Sequence, residues 1–187
     1  MKEQETKKLI ADALYEIAMT APLDKITVKQ ISERAGVTSQ TFYNHFKDKY
    51  DLILCVHKNR VNRLLSERRE GLIDWSEFVD KYLSSYEKHS KFIVNAFKNT
   101  SGNDSYAANT GRYICECIEE EVRLITGKEP DKDIKLMIKF YASGVINILA
   151  YWLAADTDVT KEDVKKAISD DVPEKLRIIL RSKYLNS

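Results

Sequence analysis

Residues 26–49 read ITVKQISERAGVTSQTFYNHFKDK. Thr27 stands just before an apolar series, Val28, Ile31 and Ala35, whose three- and four-residue steps trace one face of a short helix. A threonine hydroxyl suits the N-cap, and Gly36 suits the left-handed residue that ends such a helix. Thr38 and Ser39 offer a second N-cap, opening a helix to about Phe46 with Phe42 and Phe46 four apart on one side. Helix, glycine-bearing turn, helix is the outline of a helix-turn-helix, whose second helix enters the major groove of DNA.

If Val37, Phe42 and Phe46 face inward, then Ser39, Gln40, Tyr43 and Asn44 face outward, with 39/43 and 40/44 each one helical turn apart. These side chains suit DNA: glutamine and asparagine bond adenine bidentately, serine bonds either partner, and a tyrosine hydroxyl suits a phosphate oxygen. The whole chain carries a formal net charge of only +1, yet from Lys25 to Lys49 the basic residues Lys25, Lys29, Arg34, Lys47 and Lys49 stand against only Glu33 and Asp48. Basicity is concentrated where the backbone of DNA would lie.

Working outward, Leu9, Ile10, Ala13, Leu14, Ile17 and Ala18 give a first helix over about Lys2 to Met19, and Ala21–Asp24 breaks it. Asp48 caps a long fourth helix that ends near Gly71 and links the reading head to the rest. Further helices are predicted over about Ser76–Lys88, Ser90–Lys98, a stretch ending at Gly127, Asp131–Ala155, Thr160–Ser169 and Pro173–Tyr184. Glycine numbers 6 and proline 3 in 187 residues, less than half the average usage of about 12%. The expectation is an all-α chain: a three-helix helix-turn-helix head over residues 1–48, joined to a C-terminal helical bundle over 49–187 that dimerises.

The stretch Ile26 to Lys49, with its Ala35-Gly36-Val37 turn, Thr41-Phe42-Tyr43, His45-Phe46 and Lys49, resembles the signature of TetR-family regulators. The resemblance covers about residues 5–55 closely and the remainder in helix number and order. It implies that Thr27, Tyr43, His45 and Lys49 touch phosphates and that Lys29, Ser39, Gln40, Thr41 and Asn44 lie at or near base edges. It also implies a C-terminal body that dimerises and binds an unidentified small-molecule effector. Phe140-Tyr141-Ala142-Ser143-Gly144 with Trp152-Leu153 resembles the subgroup related to the dihydroxyacetone kinase regulator. The expected function is a ligand-responsive repressor that binds double-stranded, palindromic operator DNA as a homodimer; an activator of the same family, or a helical protein-interaction module, is the alternative.

Ile138, Tyr141, Val145, Ile148 and Trp152 form a heptad-like seam, which Leu176, Ile179 and Leu180 of the last helix extend. Met137, Phe140, Gly144 and Tyr151 make the other face of that helix apolar as well. Either a second subunit covers one face, or both belong to an intramolecular core. Tyr82, Tyr86, Phe97, Tyr113, Phe140 and Tyr151 are the aromatic candidates for effector contact, and the same residues equally fill a core.

No catalytic constellation assembles: His45, His57 and His89 are scattered, and Glu119, Glu120 and Glu121 have no histidine at metal-motif spacing. No metal and no cofactor are expected. Cys55, Cys115 and Cys117 are read as free thiols of a reducing compartment. The N-terminal residues are charged throughout, and the apolar stretch Phe140–Ala155 is shorter than the ~20 residues of a membrane span. A cytoplasmic location without membrane contact is therefore expected.

Overall fold

The computed structural model describes residues 2–154 and 157–182. Among the described residues there are ten α-helices and no strand: α1 (Lys2–Ala18), α2 (Val28–Ala35), α3 (Ser39–Tyr43), α4 (Lys49–Arg69), α5 (Trp75–Lys88), α6 (Ser90–Lys98), α7 (Tyr106–Thr126), α8 (Lys132–Trp152), α9 (Lys161–Asp170) and α10 (Glu174–Arg181). Short 3-10 turns at Leu23–Lys25 and Gly102–Asp104 interrupt the connections. The all-α class and the helix order follow the sequence pattern closely, because most ends are set by local caps. The ends expected at Ala155 and Tyr184 lie outside the described residues.

The chain divides into two compact units. The first holds the residues up to Asn59 together with His89–Asn109. Its core gathers Ile10 and Leu14 of α1, Ile31 of α2, Phe42 of α3 and Leu52 of α4, all but closed to solvent. On α6, Asn95 donates from Nδ2 to the carbonyls of Ala18 (2.7 Å) and Ala21 (2.8 Å), and its Oδ1 accepts from the Leu23 amide (2.9 Å). One amide side chain thus satisfies the backbone groups freed where α1 ends, groups that would otherwise cost free energy in a half-buried corner.

The second unit holds Arg60–Lys88 and the chain from Thr110 onward. Glu121 of α7 is 1% exposed and Arg68 of α4 is 5% exposed. They form a buried ion pair in which a second guanidinium nitrogen of Arg68 donates to the Leu180 carbonyl. Arg69 Nε completes the cluster with a 2.8 Å bond to the other Glu121 oxygen. Burial of a lone carboxylate here would be strongly unfavourable; two arginines offset that cost. The Tyr141 hydroxyl on α8 donates to the carbonyl of Ile168 in α9 at 2.5 Å.

Within the single chain α8 is buried on one face. α8 encloses Ile138, Tyr141, Ala142, Val145, Ile146 and Leu149, while Leu136, Phe140 and Tyr151 are exposed by 59%, 80% and 57%. By length and composition alone α8 would also reach across a bilayer, a test that core and interface helices of soluble proteins pass as well.

Candidate functional site

The reading head is built from its caps. Thr27 Oγ1 accepts from the Gln30 amide (3.2 Å) while Gln30 Oε1 accepts from the Thr27 amide (2.8 Å), a reciprocal capping box that starts α2. Gly36 ends α2 with φ 68°, a left-handed conformation that an L side chain would strain. Thr38 then caps α3 by accepting from the Thr41 amide at 3.0 Å. α3 stops at Tyr43, short of the expected Phe46: the amides of His45 and Phe46 both turn back to the Phe42 carbonyl, and the rings of Phe42 and Phe46 meet at 5.6 Å in the core.

With Phe42 and Phe46 buried, Ser39, Gln40, Tyr43 and Asn44 are exposed. Gln40 Nε2 donates to Asn44 Oδ1 at 3.0 Å, so the two amides are fixed with respect to each other. Tyr43 is 55% exposed and packs edge-on against Phe42 at 5.6 Å between ring centres. Lys29 is extended into solvent, 3.9 Å from Glu33. Thr27 is exposed with its hydroxyl engaged in the cap, Thr41 is half-buried with its hydroxyl 2.9 Å from that of Thr38, and His45 is half-buried beside Phe46.

Lys49, which the resemblance implies touches phosphate, is engaged within its own unit in this structure. Its ammonium donates to three carbonyls of the turn after α1: Leu23 (2.7 Å), Asp24 (3.0 Å) and Ile26 (2.7 Å). Three donors meet three acceptors. Burial pushes its pKa down, partly countered by the carboxylates of Asp24 and Asp48. The side chain acts as a strut that fixes the Leu23–Lys25 turn against the start of α4.

The second unit contains a cavity of about 550 Å³, counted to its open mouth, between α4, α5, α7, α8 and α9. Tyr82 and Tyr113 line it as expected residues do; Trp75, Cys117, Glu121 and Tyr141 line it without having been singled out for it. Tyr86 lies behind the wall, its hydroxyl accepting from that of Tyr82 at 2.9 Å. Three aromatic candidates fall elsewhere. Phe97 belongs to the first unit and packs on Tyr106 at 5.1 Å; Phe140 and Tyr151 lie on the exposed face of α8. Aromatic density shows that large side chains need covering, and does not show which helix faces which.

The family model described as "Bacterial regulatory proteins, tetR family" matches residues 10–56. A second, described as "Transcriptional regulator C-terminal region", matches residues 74–170, more than half of the chain. The chain belongs to the TetR family. Among curated proteins it is similar to the fatty acid metabolism regulator protein of Bacillus subtilis (strain 168), with 24% identity over 95 residues. That match takes in 50% of this chain and about half, 49%, of the relative's length.

Two solved structures share the fold. A TetR transcriptional regulator from Streptococcus agalactiae 2603V matches with a TM-score of 0.61 and 22% identity over 95% of each chain. The dihydroxyacetone kinase operon activator DhaS matches with a TM-score of 0.58 and 16% identity, covering 94% of this chain and 96% of its own. TetR-family proteins are DNA-binding transcriptional regulators and not enzymes.

The residues expected at the dimer seam are divided between buried and half-buried positions of the single chain. Ile138, Tyr141, Val145, Leu176 and Leu180 are enclosed by their own chain, and Ile148, Trp152 and Ile179 are half-buried. The heptad-like stripe faces the core of its own unit because α9 and α10 pack there, and the opposite stripe is left in solvent. That stripe runs Leu136, Phe140, Gly144 and Tyr151, and Ile178 of α10 is likewise 62% exposed. Asn95, Trp75 and the Arg68–Glu121 pair also escaped sequence reading. An asparagine between Val94 and Ala96 on an amphipathic helix is the one local hint among them.

Proposed function

We propose that the chain is a ligand-responsive repressor that binds a palindromic operator as a homodimer in the cytoplasm, with residues 1–48 as the reading head and 49–187 as the effector-binding and dimerising part. The exposed amide pair of Gln40 on α3 and Asn44 at its C-cap carries this reading. A pair held in one geometry before binding loses little freedom on meeting a base edge, and amides match the donor–acceptor pattern of adenine in the major groove. Ser39, Lys29 and Thr41 lie with that pair at or near the bases, while Tyr43, His45 and Thr27 lie around it toward the phosphates. α4 carries Val61 and Leu65 of the cavity wall and begins at Lys49, directly after the head, so an effector that binds two states of α4 unequally shifts operator affinity.

The second subunit packs on the exposed stripe of α8 with α10. Leu136, Phe140 and Tyr151 form an apolar row, and a Cβ added at Gly144 would meet nothing within 4 Å, leaving room for a close helix approach. Fragments selected from genomic DNA define the operator, and a reporter behind it gives the sign of regulation. On that operator Gln40→Ala and Asn44→Ala each cost about 1 to 3 kcal/mol and barely change binding to scrambled DNA. Equal losses on both DNAs would show that α3 does not read bases.

A further inference from the structure

The chemistry of the cavity wall in the second unit is unusually one-sided. Val61, Leu65, Phe78, Val79, Ile114 and Ile118 give it an apolar surface. Its hydroxyls are occupied: Tyr113 donates to Asn62 Oδ1 at 2.5 Å, Tyr141 to the Ile168 carbonyl at 2.5 Å, and Tyr82 to the Tyr86 hydroxyl at 2.9 Å. The Cys117 thiol stays protonated, its pKa pushed up to about 11 by burial. The Glu121 carboxylate is held by Arg68 and Arg69, and Arg68 also serves the Leu180 carbonyl.

Trp75 is the exception. Its indole ring stacks on Phe78 at 5.4 Å and lies under the Arg68 guanidinium at 5.7 Å, yet its Nε1–H is buried with no acceptor. A buried donor left unpaired is a standing cost that a bound acceptor removes.

From this wall we infer that the effector is a small, uncharged, largely apolar molecule bearing one hydrogen-bond acceptor, which the Trp75 indole N–H engages. The inference rests on reading this cavity as the effector site. A carboxylate or phosphate entering here meets no unspent cation, since both arginines are committed to Glu121, and a cation meets no unspent carboxylate. Either would be buried without a counter-charge, which apolar contact does not offset. An uncharged ring or short chain instead gains from every apolar wall it touches.

Three probes of similar size separate the possibilities: acetophenone, with a ring and one carbonyl; ethylbenzene, without the acceptor; and benzoate, an anion. Isothermal titration of the full chain should show acetophenone binding about fivefold more tightly than ethylbenzene, the worth of one hydrogen bond, and no saturable binding of benzoate. Trp75→Phe should erase the difference between acetophenone and ethylbenzene. Cys117→Met, which fills the cavity, should abolish both while circular dichroism shows unchanged helix content.

Tighter binding of benzoate than acetophenone, an unchanged preference in Trp75→Phe, or saturable binding of none of the three overturns the inference. The effector reading fails separately: probes that bind as described but leave operator affinity unchanged sink it and leave the chemistry of the cavity standing.

Discussion

Replacing Lys49 with methionine keeps the side chain's reach and removes three hydrogen bonds, those to the carbonyls of Leu23, Asp24 and Ile26. Bonds from a charged donor contribute about 1.5 to 3 kcal/mol each where nothing opposes them. Here the ammonium is partly desolvated, the burial that pushes its pKa down, and the methionine sheds that penalty. Leu23 also keeps one bond to its carbonyl, from the Ile26 amide at 3.3 Å. About 1 kcal/mol net for each bond, less this remainder, gives a loss of about 2 to 3 kcal/mol in the local stability of the turn.

The loss is best read by hydrogen exchange. The amides of Lys25 and Ile26 bond the carbonyls of Pro22 (3.0 Å) and Leu23 (3.3 Å), and their protection should fall roughly thirty- to a hundredfold. The salt dependence of operator affinity should keep its slope, since no phosphate contact is lost. If instead the slope falls by about one unit, as it does when one lysine–phosphate contact goes, and exchange is unchanged, Lys49 serves DNA and the strut argument is wrong.

Three further outcomes follow from the same geometry. Phe140→Asp or Ile178→Asp should convert a sedimenting dimer to a folded monomer, whereas Ile138→Asp should unfold the second unit; a Phe140→Asp protein that stays dimeric at micromolar concentration removes the exposed stripe of α8 from the interface. Arg68→Met should destabilise the second unit by about 3 to 5 kcal/mol in urea titration, because Glu121 loses a partner in a buried site, and adding Glu121→Leu should recover much of it; a double variant no better than the single would show that packing, not the unpaired charge, sets the cost. Cys117 should alkylate very slowly with iodoacetamide at pH 8, where a thiol of pKa about 11 is only about one part in a thousand thiolate, and faster as pH approaches 11; mass spectrometry showing rapid, pH-independent labelling would contradict the burial assigned to it.

How far the sequence reveals this molecule depends on the chain distance over which each feature is determined. The caps of α2, α3, α8 and α9 are set by Thr27 with Gln30, Thr38 with Thr41, Asp131 with Ile134 and Thr160 with Asp163, all three residues apart, and each is legible in a window of four. The outer stripe of α3 is equally legible, because Phe42 and Phe46 orient the helix and Gln40 and Asn44 follow by periodicity alone. Lys49 finds its carbonyls 23 to 26 residues away, and its resemblance to a phosphate contact gives no sign of them.

α8 shows why the remainder was hidden. Both its stripes are apolar, so periodicity identifies two faces and is silent on which one the chain itself covers. That choice falls to α9 and α10, which supply the Ile168 carbonyl for the Tyr141 hydroxyl and the buried side chains of Leu176 and Leu180. A polar anchor on one stripe decides between two faces of similar apolarity, because a buried tyrosine hydroxyl must be bonded and only the face that supplies the acceptor can be closed. The stripe without such an anchor, Leu136 to Tyr151, is then the one left for another molecule to cover.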